Sequence, residues 1–331
     1  MKFSSIFILF LSVTLTMAQS KIKFATLAPD GSTWMNVMND FSESLKKRTN
    51  GEVEFKIYAG GIQGDEKDVI RKIRIGQLHS GGFTGVGLGT ILPESRILDT
   101  PFLFRSKDEV DYIAKKFFDR FSKGFEDKGY ILLGWAEVGW VYIYTNKAIS
   151  GVDDMKGVKM WMWEGDPIAK ATFEAFNVSA IPLSITDVLT SLQTGLIDGV
   201  YTSPLANVAL QWFTKVKYVL DLPLANSNGA VLVSKKMFNK LTPEQQKILR
   251  EEGTKYFSQL TSLSRQDNVT SQKTMSDYGM VKTELKDPAV IKQFEEMGKK
   301  ARQLLVGDLY DQALLNDVES ALSEYRKTKS N

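Results

Sequence analysis

The sequence predicts an α/β protein organised as two units, and three observations carry that expectation. Strand and helix patterns alternate through residues 22–75, the order that builds a largely parallel sheet. A second alternation runs through residues 158–201. A β-rich run at Tyr130–Thr145 and a helix opened at Thr242 are each long enough to link two such units. At 331 residues the chain suffices for two domains or one large one.

In the first unit, Ile22–Leu27 reads as a strand, Ala28–Ser32 as a loop and Thr33–Arg48 as a helix. The last helical turn carries Lys46, Lys47 and Arg48, the charge sign a helix C-terminus favours. Asn50-Gly51 stops it, and Val53–Tyr58 alternates as a strand. Asp65 caps an amphipathic helix through Ile75, with Val69, Ile70 and Ile73 on its apolar side. Ser80–Thr90 carries glycines at 81, 82, 85, 87 and 89 and reads as a loop. Its spacing departs from the dinucleotide-binding fingerprint and points to close-packed backbone beside a cleft. His79 at its edge reads as a hydrogen-bonded turn residue. Ser106 and Asp108 start a helix to about Phe125.

The run Tyr130–Thr145 holds Trp135 and Trp140 and can cross between domains. Strand Val158–Met162, helix 167–177 and strand Ala180–Pro182 follow. Ser184 and Asp187 form a capping pair for helix Ile185–Thr194, closed by Gly195. Strand Leu196–Tyr201 ends in Thr202-Ser203-Pro204, and Ala206–Phe213 is a short helix carrying Trp212. Ala230–Ser234 is another strand. Thr242-Pro243-Glu244-Gln245 is a capping box with proline at the first helical position, opening a helix that extends as far as Tyr278. The tail, Asp287–Lys327, is helical and amphipathic. Asn268-Val269-Thr270 is a chance sequon in a helical setting.

The stretch Lys156–Pro167, KGVKMWMWEGDP, stands out. Trp161 and Trp163 alternate with methionines and so share one strand face. Asp166 and Pro167 then cap and open a helix. Ligands of open α/β sheets sit where a strand ends and a helix begins. The two rings are therefore either core or the wall of a pocket, and their pairing at a βα turn favours the wall.

Composition narrows the function. A hydrophobic share of 43% and a charged share of 24% suit a folded globular chain. The net charge is +3 with no basic block, which argues against nucleic acid. With no cysteine and one histidine, a thiol or histidine-rich metal site, a disulfide or a histidine triad has too few residues. No cofactor is expected, and no enzyme activity. Lys2, the apolar run Ile6–Leu15 and Thr16-Met17-Ala18 form a secretory signal with cleavage after Ala18, too short to span a membrane. The expected location is the periplasm.

Five further segments occur in a fixed order. They are Gly64-Asp65-Glu66, Pro101-Phe102-Leu103-Phe104, Asp154-Met155-Lys156-Gly157-Val158-Lys159, Leu192-Gln193-Thr194-Gly195-Leu196-Ile197-Asp198-Gly199 and Leu241-Thr242-Pro243-Glu244-Gln245-Gln246. Through them the chain resembles the DctP-type substrate-binding subunit of TRAP (tripartite ATP-independent periplasmic) transporters over almost its whole mature length. The resemblance implies a two-lobed periplasmic-binding-protein architecture with a central cleft, crossing strands and a long bracing helix. Lobe I would comprise 19–138 plus 229–268, and lobe II 139–228 plus 269–331, after a signal peptide at 1–18. The lobes would close on a small-molecule ligand and hand it to TRAP membrane permease subunits.

The departures from the family pattern set the ligand expectation. Where carboxylate binders of the family carry an arginine after the Lys-Gly-x-Lys-x segment, this chain has Trp161. A second family arginine falls at Val141, an asparagine near Ser203 and an acidic contact near Thr84. Burying a carboxylate without a charged partner costs several kcal/mol or more. The expected ligand is therefore hydrophobic or aromatic, in a cleft lined by Trp161, Trp163, Trp140 and Tyr201, with Trp34 and Trp212 as further candidates. Glu164 would accept a hydrogen bond or pair with a cationic group, or else only stabilise a helix N-terminus. WMWEGDP and YTSPLANVALQWF resemble a subgroup with a hydrophobic cleft and a tetratricopeptide-repeat periplasmic partner. The alternative is a receptor for an organic carboxylate, a dicarboxylate or 2-oxo acid, with a relocated cation; Lys159 and Arg96 are the nearest. An exported enzyme using Glu164 and Asp166, or a docking module without a ligand, are the readings from other classes.

Overall fold

The computed structural model describes residues 19–330, so the signal peptide expected at 1–18 lies outside the described residues. The first stretch runs β1 (Ser20–Thr26), α1 (Thr33–Arg48), β2 (Val53–Tyr58), α2 (Glu66–Arg74), β3 (Ser80–Thr84), α3 (Gly85–Ile91), α4 (Lys107–Lys116), α5 (Phe118–Asp127) and β4 (Tyr130–Trp135). Then come β5 (Gly139–Thr145), β6 (Met160–Trp163), α6 (Pro167–Ala175), β7 (Ala180–Leu183), α7 (Val188–Thr194), β8 (Gly199–Thr202), α8 (Pro204–Ala209), β9 (Tyr218–Leu220) and β10 (Ala225–Ser227). The last are β11 (Gly229–Ser234), α9 (Lys235–Phe238), α10 (Pro243–Asp277), β12 (Val281–Thr283), α11 (Pro288–Leu304) and α12 (Gln312–Ser330).

Two sheets result. The first has the order β2-β1-β3-β11-β4, with β11 antiparallel to β3 and β4. The second runs β12-β9-β5-β8-β6-β7, with β10 paired to β5. Period-two alternation buries both faces of the first sheet. On β11, Ala230 and Leu232 join one core with α2, α3, α4 and α5, while Val231 and Val233 join another with α1 and α10. On β6, Met160 enters a core with α6 and α11, while Trp161 and Trp163 enter one with α7 and α8.

The Tyr130–Thr145 run crosses between sheets as its length suggests. It divides into β4 and β5, and Asn228 returns the chain from β10 to β11. The two crossing segments pair with each other, Ala136 N to Gly229 O at 2.7 Å and Val138 N to Ser227 O at 2.9 Å. Gly139 takes φ +128°, and a Cβ there would lie 2.8 Å from Asn268 Cγ, so only glycine fits. Helix α10 braces the join. Its capping box forms (Gln245 N to Thr242 Oγ1 3.3 Å, Thr242 N to Gln245 Oε1 3.0 Å). Phe257 packs on Phe41 of α1 with ring centroids 5.2 Å apart. Further along, Asn268 accepts from Leu205 N at 3.0 Å and donates to Val138 O at 2.9 Å. The sequon asparagine is thus a clamp between α10, α8 and the crossing strand.

Several expectations are corrected. Ser80–Thr90 is a strand followed by a helix, not a loop. The segment 106–125 breaks at Phe117 into α4 and α5. The 206–213 segment is α8 followed by a separate turn at Trp212, divided by Gln211 at φ +60°. Helix α12, expected with the second unit, packs on α4 beside the first sheet. Leu314, Leu315 and Val318 share a core with Ile113 and Phe121, and Tyr325 stacks on Tyr112 at 4.6 Å. His79 behaves as expected: its Nδ1 accepts from Lys23 N at 3.2 Å.

Candidate ligand-binding site

Between the two sheets lies a cleft with about 1090 Å³ of empty space, its mouth included. Strand β6 delivers the two tryptophans. Trp161 is 2% exposed and Trp163 6%, yet both line the cleft, so each serves as core and as wall. Trp161 stacks on Tyr201 (5.1 Å, 20°) and meets Trp212 edge to face at 5.2 Å. Its Nε1 donates to the Leu183 carbonyl at 3.1 Å, which fixes the ring. Phe173 and Phe176, from and just beyond α6, extend the aromatic wall.

The polar side of the cleft centres on Arg96, in a 3-10 turn at Pro93–Asp99. Its Nε donates to Asp99 Oδ2 at 3.0 Å and its Nη1 to Asp166 Oδ1 at 2.9 Å. Asp166 also caps α6, accepting from Ile168 N at 3.1 Å. Asp99 Oδ1 accepts from Asn228 N at 2.8 Å. Burial opposes the charge on Arg96, but the facing Asp166 and Asp99 outweigh it and raise its pKa. Burial pushes the Asp99 carboxyl up to about 6, against the pull of Arg96. Arg96 is the one cationic side chain lining the cleft among the described residues, and its Nη2 has no hydrogen-bond partner among them.

The glycine run makes this arrangement possible. A Cβ at Gly89 would lie 2.6 Å from Arg96 Cγ, and one at Gly87 2.6 Å from Glu66 Oε2. Glu66 is fully buried and accepts from Thr84 N and Gly87 N, both at 2.6 Å. Burial pushes its carboxyl up to about 8, although these donors pull the other way.

Of the residues singled out in the sequence, Trp161, Trp163, Trp212, Tyr201, Val141, Ser203 and Thr84 come together around this cleft. Ser203 and Thr84 spend their hydroxyls as helix caps, accepting from Ala206 N at 3.2 Å and Val86 N at 3.3 Å. Trp140 does not line it. Neighbouring residues of a strand face opposite ways, and with Val141 facing the cleft, Trp140 packs on the first core. Glu164 is exposed, its carbonyl accepting from Lys67 Nζ at 2.6 Å, so its carboxylate is not a cleft group. Trp34 lines an adjoining chamber instead. Lys159 is outside, tied to the Gly195 carbonyl at 2.6 Å. Asp99, Phe173, Phe176 and Asn226 went unflagged in the sequence. An Arg-x-x-Asp pair inside the apolar run RILDTPFLF was the available signal for the first.

The family model for bacterial extracellular solute-binding proteins, family 7 (DctP), matches residues 24–307. A solute-binding protein of Verminephrobacter eiseniae is 30% identical over 217 residues, 63% of this chain and 63% of that protein. The sugar acid binding protein DctPAm of Advenella mimigardefordensis, solved with galactonate, superposes with TM-score 0.86 at 20% identity, covering 93% of this chain and 99% of that one. A TRAP periplasmic solute binding protein of Desulfovibrio salexigens, solved with orotic acid, gives TM-score 0.85 at 21% identity, covering 92% and 99%. With its two α/β sheets around a cleft and a family match over most of its length, the chain belongs to the bacterial extracellular solute-binding proteins of family 7.

Proposed function

We propose that this protein is a periplasmic solute receptor for an organic carboxylate that carries an apolar or aromatic body, and that it delivers this ligand to a TRAP-type membrane permease. The observation that carries the carboxylate is Arg96, a buried guanidinium that is the one cation lining a mostly apolar cleft among the described residues, with one nitrogen unbonded among them. It supplies the relocated cation. A guanidinium pairs with carboxylates through parallel N–H donors. The body of the ligand lies on Trp161, Tyr201, Trp212 and Phe173, where aromatic burial contributes most. The galactonate and orotate held by the two structural relatives support an acidic ligand. Two lobes are proposed, divided at the paired crossing segments 136–138 and 228, with α12 assigned to the first.

A second reading, a neutral aromatic ligand, has one observation in its favour. Arg96 already faces two carboxylates, so an anion arriving there meets a cluster with surplus negative charge whenever both are ionised. Calorimetry and thermal shift with matched pairs separate the readings, each aryl acid set against its own primary amide. A charge-assisted bond contributes about 1.5–3 kcal/mol, so the acid should bind roughly ten- to hundredfold tighter. Equal or tighter binding of the amides would leave the aromatic wall as the recognition element and remove the carboxylate.

A further inference from the structure

Beside the main cleft is a second chamber with about 670 Å³ of empty space, its mouth included. The two lie side by side, with Thr84, Val138, Ile185, Ala206 and Leu210 common to both walls. The second chamber is apolar: Leu27, Trp34, Phe83, Leu205, Ala209 and Leu210 face it. The Trp34 ring lies over glycines, since a Cβ at Gly82 or at Gly229 would each come within 3.4 Å of it. The one ionisable side chain there, Glu66, has its oxygens turned to the N–H groups of Thr84 and Gly87. Of the hydroxyls in its walls, those of Thr26, Ser32 and Thr84 already accept from the N–H groups of Ala28, Met35 and Val86, which leaves ordered water few of the two to four polar partners it needs. An apolar chamber adjoining a cleft that holds a single buried cation matches a molecule with one polar end.

We propose that the second chamber is a tail subsite: the ligand is an elongated amphiphile whose polar head lies at Arg96 and whose apolar tail passes between Val138, Ile185 and Leu210 to end against Trp34. The length of the ligand rests on this chamber, while the charge of its head rests on the carboxylate reading above.

The test is calorimetry on the mature protein with straight-chain monocarboxylates from butanoate to decanoate, in parallel with the matching primary alcohols. Each methylene entering the chamber should tighten Kd three- to fourfold, the ratio that about 0.8 kcal/mol per buried CH₂ converts to. The gain should stop once the chamber is full. Ala209→Phe, which puts a ring into the chamber, should collapse the octanoate-to-butanoate affinity ratio towards one. Short acids that bind with no dependence on chain length would overturn the tail subsite and leave the carboxylate reading standing. Alcohols that gain with length as steeply as acids and bind as tightly would keep the tail subsite and sink the carboxylate head. No length dependence in either series overturns the inference, whatever the behaviour of Ala209→Phe.

Discussion

At the scale of single residues, the cleft is governed by buried charge. Arg96 is held because two carboxylates offset its desolvation, and removing either partner would strand the other charges in a low-dielectric setting. Glu66 is the clearest titrating case. Its folded pKa, about 8, lies above the ordinary 4.5, so the folded state binds a proton that the unfolded chain has already released. Its contribution is therefore complete below pH 4.5 and is lost as pH rises to 8. Between pH 6.5 and 8, urea unfolding should show stability falling by up to about 1.4 kcal/mol per pH unit. Glu66→Gln should remove that slope, at some cost in overall stability because its NH₂ cannot accept from Gly87. A slope unchanged in the variant would mean that Glu66 is already ionised in the folded protein.

At the scale of elements, α3 shows how spacing of small residues shapes a site. Gly89 has no unusual backbone angle, so alanine there should gain roughly 1 kcal/mol of helix propensity. Its Cβ would also come within 2.6 Å of Arg96 Cγ and 2.8 Å of Cδ, and overpacking of that kind costs about 1–3 kcal/mol. The clash should win. Gly89→Ala is expected to lower the melting temperature and to erase the acid-over-amide preference by displacing Arg96. An unchanged preference would show that the ligand head does not use that side chain. The β6–α6 junction, by contrast, was legible in advance. Alternation put Trp161 and Trp163 on one face, and Asp-Pro marked the cap, which is how β6 and α6 are built. Glu164 and Trp140 were misplaced because a turn residue's direction and the facing of a crossing strand depend on neighbours far along the chain.

At the scale of the whole molecule, the two layers touch through a small set of polar contacts. Asp65, which caps α2, accepts from Trp163 Nε1 at 3.1 Å and from Ser184 Oγ at 2.6 Å. Lys67 reaches the Glu164 carbonyl and Arg96 reaches Asp166. Ser184 therefore does not cap the helix at 185, as its spacing to Asp187 suggested; its hydroxyl bridges the layers. These contacts favour a closed arrangement, and opening by rotation of one lobe on another would break them. Ser184→Ala should weaken ligand affinity about tenfold, the equivalent of one charge-assisted bond near 1.5 kcal/mol. The unligated protein's small-angle scattering radius should rise with it. Unchanged affinity would mean that the contact forms without holding the lobes together.

What the sequence determined by itself was local and periodic: the alternation of strands and helices, the caps at Asp65, Asp166 and Thr242, and the aromatic face of β6. These depend on interactions within a few residues of each other, so they are readable along the chain. The resemblance carried by the ordered segments supplied the two-lobed plan. Only the tertiary structure decided which charges meet. Arg96 and Asp166 are 70 residues apart and Asp65 and Ser184 119 apart, and nothing local says that they meet. The second chamber likewise exists only because the loop before α1, the crossing strand and α8 converge. Long-range packing decides what is buried, and burial turns an ordinary arginine into a candidate anchor and a glycine-rich stretch into its cradle.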